Sequence, residues 1–439
     1  MKVLQVLNHF LPYKTAGTEV YTWALCKQMQ KLGIDVKVVI PHYGNKEPAT
    51  YIHDGIYVYQ YAEPSLVDRS LIMGLRQPDG LMHFEKYIND ERPDIIHFHE
   101  IVGSNGVTLK HVEVAKKSSA KVIMTFHLAG YSCKTGTLAY LEKSACSGLM
   151  DLQKCSICYL HSSGHDKIAR TLTSFSTLLH NFSINPTYWQ NKAGTALGTV
   201  SIISKLKKDL YFLVSQCDYV VCVTDWYKKI LLANGVNENK IKIIKQGLPF
   251  SHQQVFSVDR ILNKRLKLVF LGRINKSKGL HLLIKALNGI DPNLVELSIF
   301  GSSDDAVYEY SLKAETDLQT NISWNGNLNQ QDVIKTLQQH DILCLCSTLS
   351  EMSALVIQEA FAAGIPVLAS NVYGNAEQIC HNQNGLLYEF NNIKDLRKQI
   401  LRLINEKNLL QDLSRNIKPP KSFREVCNEY LHLYKNQLN

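Results

Sequence analysis

The chain has 439 residues, which is more than one hydrophobic core usually serves, so its length predicts two domains. Its 45% hydrophobic and 20% charged residues are typical of a soluble globular protein, and no apolar run is long enough to span a bilayer. Residues 1–250 carry +8 of the net charge of +9, but without the interleaved aromatic residues of a nucleic-acid-binding protein, so no nucleic-acid partner is expected.

The first residues, MKVLQVLNHFLPY, are typical of a short strand. They lack the apolar region and the cleavage site of a signal peptide, so we expect a cytoplasmic protein. In that compartment the eleven cysteines should be reduced, and a cluster of them indicates a metal site rather than disulfides.

Short β-branched runs alternate with helical patterns along the N-terminal half of the chain. The predicted strands are residues 3–8, 36–41, 56–61, 94–100, 122–127, 219–224 and 241–244. The predicted helices are residues 20–32, 107–117 and 71–89, the last interrupted near Pro78 and Gly80, and residues 160–200 should be mostly helical. This alternation predicts a parallel sheet covered by helices on both faces.

The same alternation restarts after an aperiodic segment. We predict strands at residues 266–273, 295–301, 321–327, 341–347 and 366–370, and helices at 280–287 and 422–438. The predicted domains are therefore residues 1–248 and 265–421, with a linker at 249–264 and a C-terminal helix at 422–439. Two doubly wound α/β domains would bind a ligand in a cleft between the carboxyl ends of their sheets.

Residues 347–377, STLSEMSALVIQEAFAAGIPVLASNVYGNAE, contain two glutamates eight positions apart. We expect Glu351 in a loop and Glu359 in the helix that follows, so that the loop and the helix N-terminus face one crevice. The alternative is an ordinary αβ unit with two solvated glutamates.

Two loops have the residues expected around phosphate. In GRINKSKG, residues 272–279, Arg273 and Lys278 lie between a strand and a helix, where two cations suit a diphosphate. In TAGTE, residues 15–19, Gly17 allows close approach of the backbone to an anion at a helix N-terminus. The loop is not GxGxxG, so NAD binding is unsupported. Read separately, they could be a basic loop and a simple turn.

Together these motifs resemble the family-4 retaining glycosyltransferases, which have the GT-B fold. The resemblance covers nearly the whole chain. It rests on Gly17, on His127 after VIMTFH, on GRINKSKG, on the spaced glutamates of SEMSALVIQEAFAAGIPV, and on NVYGNAEQI and NGLLYEF. The chain departs from the family pattern at Ala354 and Asn375, where glycine is common in relatives. These departures leave the sugar selectivity open.

The resemblance implies a role for each matching residue. Arg273 and Lys278 would bind the donor diphosphate and stabilise the leaving nucleotide without a catalytic metal. Glu359 would bind the ribose and Glu351 the donor sugar. The other implied donor contacts come from His127, Gly17, Thr18, the amides near Ala354 and Leu355, and Glu377, which could equally be a structural cap. The C-terminal helix would pack back on the N-terminal domain. His99 would either touch the acceptor or be a core histidine.

The implied activity is transfer of a hexose or N-acetylhexosamine from a UDP- or GDP-type sugar. The acceptor would be a saccharide or lipid-linked saccharide, as in the biosynthesis of capsule, O-antigen or exopolysaccharide. The basic N-terminal half is compatible with peripheral contact with an anionic membrane, and equally with a solvated lysine-rich surface. Two other readings are a GT-B-fold nucleotide-sugar 2-epimerase and a non-catalytic sugar-nucleotide-binding partner of an assembly complex.

Four cysteines between residues 131 and 160 have the spacing C-x12-C-x8-C-x2-C. They are Cys133, Cys146, Cys155 and Cys158. Four thiolates complete a tetrahedral shell, so the spacing indicates a structural zinc, and a similar insertion occurs in a subset of the family. Reduced cysteines in a packed loop are the alternative. The helical segment after it, residues 160–200, would shape the acceptor site or a membrane-facing edge.

Overall fold

The computed structural model describes residues 1–63, 69–72, 74–101, 106–249 and 265–438. These residues form two compact units. The first unit contains residues 1–141, 147–249 and 423–438, and the second contains residues 142–146 and 265–422. The short segment 142–146 belongs to the second unit, although the residues on both sides of it in sequence belong to the first. The predicted linker lies outside the described residues from residue 250 onward.

The first unit is built on an eight-stranded sheet. From one edge to the other its strands are Ile241–Ile243, Tyr219–Cys222, Lys121–Phe126, Ile95–His99, Lys2–Val6, Asp35–Tyr43, Ile56–Glu63 and Ala49–His53. All neighbours are parallel except the last pair, which forms a hairpin through Asp54 and Gly55. Both turn residues have positive φ, as a tight hairpin turn requires. The edge strand was not predicted, because residues 49–53 alternate polar and apolar side chains only briefly.

Helices cover both faces of this sheet. Their bounds are Gly17–Lys31, Arg69–Ile72, Leu81–Glu91, Leu109–Lys117, Leu152–Ser162, Ala169–Asn181, Lys192–Leu197, Thr199–Gln216, Asp225–Ala233 and Phe423–Leu438. A two-residue strand, Ala139–Tyr140, lies between them. The predicted helix 71–89 is wrong in extent: a helix starts only after Gly80, and the earlier helical piece ends at residue 72. Proline disfavours helical geometry in the residue before it, so the pattern breaks at Pro78.

The C-terminal helix, Phe423–Leu438, completes the core of the first unit. It packs against the helix Gly17–Lys31 and buries Phe423, Tyr430 and Tyr434. The helix is also hydrogen-bonded to the sheet. The Tyr430 hydroxyl lies 2.9 Å from Oγ1 of Thr125, which is in strand Lys121–Phe126. The helix is therefore a structural part of the first unit, although the residues before it in sequence belong to the second unit.

The second unit has a six-stranded sheet in which all paired strands are parallel. From edge to edge the strands are Ile322–Trp324, Val295–Phe300, Leu266–Leu271, Ile342–Leu345, Val367–Ser370 and Gly385–Tyr388. The α-helices are Leu280–Leu287, Ala306–Thr316, Val333–Gln338, Leu355–Ala362, Tyr373–Gln378, Ile393–Asn405 and Leu409–Arg415, and Ser144–Ala145 adds a two-residue strand. The predicted parallel α/β class is confirmed, although the strand at 385–388 was missed. No helix among the described residues is long and apolar enough to cross a membrane.

Candidate functional site

The loop that follows strand Leu266–Leu271 holds Lys278 in one position. Asn275 Oδ1 accepts a hydrogen bond from the Lys278 amide at 3.1 Å, which caps a single turn, Lys276–Lys278. Gly279 then has φ +70°, and a Cβ there would lie 1.8 Å from the Cys346 carbonyl oxygen. Only glycine fits this close contact between two strand ends. The loop is consequently fixed against the loop that carries Glu351.

Lys278 and Glu351 form a tight ion pair. Lys278 Nζ lies 2.6 Å from Glu351 Oε1, and the side chains are 22% and 12% exposed. Ser347 Oγ donates to the same Oε1 at 2.6 Å. Burial raises the pKa of Glu351, but the charge and hydrogen bond of Lys278, the Ser347 bond and the charge on Arg273 together hold it below its ordinary value. Arg273 itself is exposed. Glu351 is therefore a fixed carboxylate beside two cations.

The segment after the glutamates packs directly on the Glu351 loop. A Cβ at Gly374 would lie 1.9 Å from the Glu351 carbonyl oxygen, so a larger residue does not fit. Asn375, where relatives often have glycine, is buried, and its Nδ2 donates to the Ser370 carbonyl at 3.1 Å. Ser370 Oγ in turn donates to the Ser347 carbonyl at 2.9 Å. The asparagine therefore ties two loops together rather than filling space.

Glu359 lies in the helix Leu355–Ala362 and Glu351 in the loop before it, as predicted. The helix starts after Ala354, whose side chain makes no capping bond, so the amides of its first turn are not satisfied by a side-chain cap. Glu359 is 9% exposed and accepts a hydrogen bond from Gln330 Nε2 at 2.6 Å. Burial raises its pKa, and the Gln330 bond opposes the rise only in part. Glu377 is half-buried on the short helix Tyr373–Gln378.

In the first unit, His127 follows strand Lys121–Phe126 and is 8% exposed. Burial lowers its pKa to about 3, so the imidazole is neutral near pH 7. Its Nε2 lies 3.1 Å from His99 Nδ1, and His99 Nε2 lies 2.5 Å from Gln5 Oε1. Because an amide oxygen only accepts, His99 donates to Gln5 and accepts from His127. His127 Nδ1 is then an unprotonated acceptor.

His99 is 1% exposed, so the alternative in which it touches an acceptor is wrong. It orients His127 from inside the core. Gly17 and Thr18 lie in the first turn of helix Gly17–Lys31, which starts after Ala16 without a side-chain cap. Gly17 is exposed, and its amide and that of Thr18 therefore belong to a helix N-terminus, where an anion is favoured.

Glu100 is a site residue that the sequence analysis missed. It has φ +72°, directly after strand Ile95–His99, and it is 8% exposed. One carboxylate oxygen accepts from the His127 amide at 3.1 Å and from the Leu128 amide at 2.8 Å. An acidic residue at the carboxyl end of a buried strand was the available signal. Glu100 therefore holds the loop on which His127 lies.

Comparison with protein families decides the identity of the chain. The model described as Glycosyltransferase Family 4 matches residues 15–251, which is more than half of the chain, and the model described as Glycosyl transferases group 1 matches residues 253–419. The chain belongs to glycosyltransferase family 4. The family predicted from the motifs is confirmed.

Curated relatives of the chain include several proteins named as glycosyltransferases. An uncharacterized glycosyltransferase of Methanocaldococcus jannaschii is 26% identical over 52% of this chain and 60% of its own length. An uncharacterized 41.2 kDa protein in the cps region of Klebsiella pneumoniae is 24% identical over 64% of this chain and 79% of its own. The amylovoran biosynthesis glycosyltransferase AmsK of Erwinia amylovora is 25% identical over 48% and 53%. The chain thus spans three fifths of the first relative and about half of AmsK.

Solved structures establish the fold class of the family-4 chain. Sucrose-phosphate synthase from Thermosynechococcus elongatus matches with a TM-score of 0.69 at 15% identity, over 100% of this chain and 99% of that one. The Anabaena protein HepE in complex with UDP-glucose matches with a TM-score of 0.63 at 15% identity, over 99% and 100%. These neighbours have the GT-B fold, and the predicted fold class is confirmed by them.

The four cysteines of the family-4 chain are not arranged around a metal. The described part of the chain contains no group of three or more His, Cys, Asp or Glu side chains that could hold one. Cys155 and Cys158 lie within a regular helix, Leu152–Ser162, rather than in the tight turn of a zinc knuckle, and all eleven cysteines are outside disulfides. Cys133 Sγ lies 3.2 Å from Thr135 Oγ1, and Cys158 Sγ lies 3.7 Å from the Ala139 carbonyl oxygen. Zinc binding stays a prediction for metal analysis of the purified protein.

Replacing Glu100 with glutamine should change how stability depends on pH. Burial raises the pKa of Glu100 to about 8, with the backbone hydrogen bonds opposing the rise. A carboxyl with a raised folded pKa costs stability as pH increases from its ordinary value near 4.5 to about 8. We expect Glu100→Gln to match the wild type at pH 5 and to be more stable by on the order of a few kcal/mol at pH 9.

The control for this prediction is Glu113→Gln in the same unit. The hydrogen bond and charge of Lys110 hold the pKa of the half-buried Glu113 low, so removing its charge should have a small effect of the opposite sign above its ordinary pKa. Denaturant unfolding at several pH values measures both. Parallel pH profiles for the wild type and Glu100→Gln would contradict the assignment.

Proposed function

We propose that the chain is a retaining glycosyltransferase that moves a hexose or N-acetylhexosamine from a UDP- or GDP-type sugar to a saccharide or lipid-linked saccharide. The observation that carries the proposal is the buried ion pair between Lys278 and Glu351, with the charge of Arg273 beside it. Such a group of cations at a strand end is suited to a diphosphate leaving group. The relative in a cps region and the amylovoran biosynthesis glycosyltransferase AmsK support a role in surface polysaccharide biosynthesis.

In this proposal the reaction breaks the bond between the sugar's anomeric carbon and the diphosphate oxygen. The electron pair leaves with the nucleotide diphosphate, a new bond forms from the acceptor hydroxyl oxygen to the same carbon, and the hydroxyl proton passes to the departing diphosphate oxygen. Lys278 and Arg273 stabilise the charge that develops on the leaving diphosphate, which requires no catalytic metal. The first-turn amides near Ala354 and Leu355 add donors to phosphate.

The two glutamates bind hydroxyl groups rather than exchange protons. Among the described residues, both bonds to Glu351 go to Oε1, which leaves Oε2 oriented by the ion pair as an acceptor for donor-sugar hydroxyls. Glu359 accepts from the ribose, and Glu377 supports the same loop. HepE, which has the same fold, is in complex with UDP-glucose, and this supports a UDP-type donor.

The first unit supplies the remaining contacts in the proposal. The amides of Gly17 and Thr18 at a helix N-terminus are donors suited to a phosphate, and Nδ1 of His127 is an acceptor suited to a sugar hydroxyl. A cavity of about 440 Å³ in this unit is the candidate acceptor site. Arg76, Lys110, Lys205, Tyr131 and Phe212 are among the residues that line it. Cations suit a phosphate of a lipid-linked acceptor, and aromatic rings suit the apolar face of a sugar.

Nucleotide binding tests the donor site directly. UDP, GDP, ADP and their sugars should be screened by thermal shift, since a ligand at a hundred times its dissociation constant stabilises the protein by about 2.7 kcal/mol. Glu359→Ala should weaken binding of the preferred nucleotide by roughly 10–100-fold, because a hydrogen bond to a charged group contributes about 1.5–3 kcal/mol.

The matched control is the 2′-deoxy form of the same nucleotide. The wild type should bind the 2′-deoxy form more weakly than the parent nucleotide. Glu359→Ala should bind both forms almost equally, because it lacks the carboxylate that would accept a hydrogen bond from the 2′-hydroxyl. Discrimination that survives in the variant would rule out the ribose role. Binding without transfer to any saccharide acceptor would instead indicate a sugar-nucleotide-binding protein. The predicted cytoplasmic location belongs to this proposal as well.

A further inference from the structure

The helix Ala169–Asn181 exposes large apolar side chains to solvent. Its buried positions are the small residues Ala169, Thr173 and Ser176, while Phe175 and Leu178 point to solvent. A surface helix of a globular protein normally buries its large apolar side chains and exposes its polar ones. Leu172 and Leu179 are half-buried, so the helix covers part of its apolar surface and leaves Phe175 and Leu178 exposed.

Hydrogen bonds on the inner face stabilise this orientation. Thr173 Oγ1 donates to the Ala169 carbonyl at 2.8 Å, and Ser176 Oγ accepts from the Val200 amide at 2.9 Å. The second bond joins the helix to Thr199–Gln216, against which it packs. The small inner residues allow close packing, and the bond between Ser176 and Val200 fixes which side of the helix faces its neighbour. The outward face is thus a fixed feature of the unit.

The exposed apolar residues continue beyond the end of the helix. We call these residues the outer apolar surface. They are, with the exposed fraction of each, Ile168 51%, Phe175 56%, Leu178 53%, Phe182 70%, Ile184 46%, Tyr188 64% and Trp189 53%. Single exposed apolar residues are ordinary, but this many within residues 168–189 indicate a partner. Tyrosine and tryptophan beside aliphatic and phenyl side chains are typical of proteins at a membrane–water interface.

The charges around this surface are almost all positive. Between residues 160 and 200 the sequence has one acidic residue, Asp166, which lies 2.5 Å from His161. Lys167, Arg170 and Lys192 are exposed there. The adjoining helix Thr199–Gln216 adds Lys207 and Lys208, while its single aspartate, Asp209, is paired with Lys205 at 2.5 Å. Basic residues around an apolar face complement anionic lipid head groups, whereas two copies of this surface facing each other would repel.

We propose that the outer apolar surface inserts into the interfacial layer of an anionic lipid bilayer and holds the first unit against the membrane. The inference does not depend on the proposed transfer reaction, since it concerns a different surface and a different ligand. It would place the first unit where a lipid-linked substrate is available.

Co-sedimentation of the full chain with vesicles tests the proposal. Vesicles of phosphatidylcholine with 30% phosphatidylglycerol should bind the protein, and pure phosphatidylcholine vesicles should bind it at least ~10-fold more weakly, since each basic residue near an anionic surface adds to affinity. The variant Phe175→Ser/Leu178→Ser/Phe182→Ser should lose at least ~100-fold of the affinity, because each buried apolar side chain contributes about tenfold. These positions are exposed, so thermal unfolding of the variant should match the wild type.

The matched control replaces exposed apolar residues elsewhere in the same unit. Leu32→Ser/Ile52→Ser/Met82→Ser removes side chains that are 43%, 73% and 69% exposed, and it should bind vesicles like the wild type. Trp189 gives a local signal: its emission should shift to shorter wavelength on binding, and Trp189→Phe should remove that shift. Equal binding of the Phe175 variant and the wild type would overturn the proposal. A second result would also overturn it. If the wild type self-associates but does not bind vesicles, and the variant no longer self-associates, the surface binds a second copy of the chain.

Discussion

Lys278→Ala is expected to lower kcat by ~10²–10³-fold, the usual effect of removing one group that stabilises developing charge. The lysine is the ion-pair partner of Glu351, at 2.6 Å, and the variant would leave that largely buried carboxylate without its cation. Because the substrate is still bound by other groups, KM for the nucleotide sugar should change less than kcat. Single-turnover and steady-state assays with the donor identified by thermal shift measure both.

The control is Lys276→Ala in the same turn. The Lys276 side chain is exposed, and only its carbonyl is used structurally, as acceptor from Thr348 Oγ1. It has the same charge and lies two residues away, so a general electrostatic effect would appear in both variants. Near-normal transfer by Lys278→Ala would refute the assigned role.

A double variant separates catalysis from folding. Lys278→Met with Glu351→Gln removes both charges of the ion pair, and this is often close to neutral for stability, whereas removing one partner costs about 3–5 kcal/mol. The double variant should therefore regain stability relative to Lys278→Ala while remaining inactive. Recovery of activity together with stability would show that Lys278 acts only on the fold.

Deletion of residues 423–439 is expected to abolish cooperative folding of the first unit. The helix Phe423–Leu438 buries Phe423, Val426, Tyr430 and Tyr434 in the core of that unit, and each is at most 3% exposed. Truncating one buried aromatic side chain typically costs about 3–5 kcal/mol, while a whole domain is stable by only about 5–15 kcal/mol. Thermal unfolding followed by near-UV circular dichroism should therefore lose the transition of the first unit.

Two smaller changes keep this prediction testable if the truncated chain does not express. Tyr430→Ala should lower the free energy of unfolding by about 3–5 kcal/mol, since it also removes the hydroxyl partners of Thr125 and Tyr21. Deletion of residues 437–439 should change it by less than ~0.5 kcal/mol, because Leu438 is exposed at the helix end. Unchanged melting and activity after the full deletion would contradict the structural role.

The sequence by itself determined the class of the protein. Hydrophobic periodicity predicted the parallel α/β units, since buried strands between helices are apolar along their whole length. Spaced motifs such as GRINKSKG and the pair Glu351 and Glu359 predicted the family, which the family models confirm. The placement of Glu351 in a loop and Glu359 in a helix followed from local patterns. Such features depend on residues close together in the chain.

Only the tertiary structure decided which distant residues meet. Lys278 and Glu351 are separated by 73 positions, and Tyr430 and Thr125 by 305, so no local pattern reports either contact. Glu100 is identified as a site residue by its positive φ and by the two backbone amides that donate to its carboxylate. The sequence reports neither feature. The same reason explains the outer apolar surface: helical spacing defines the two faces of residues 169–181, but neighbouring helices decide which one is buried.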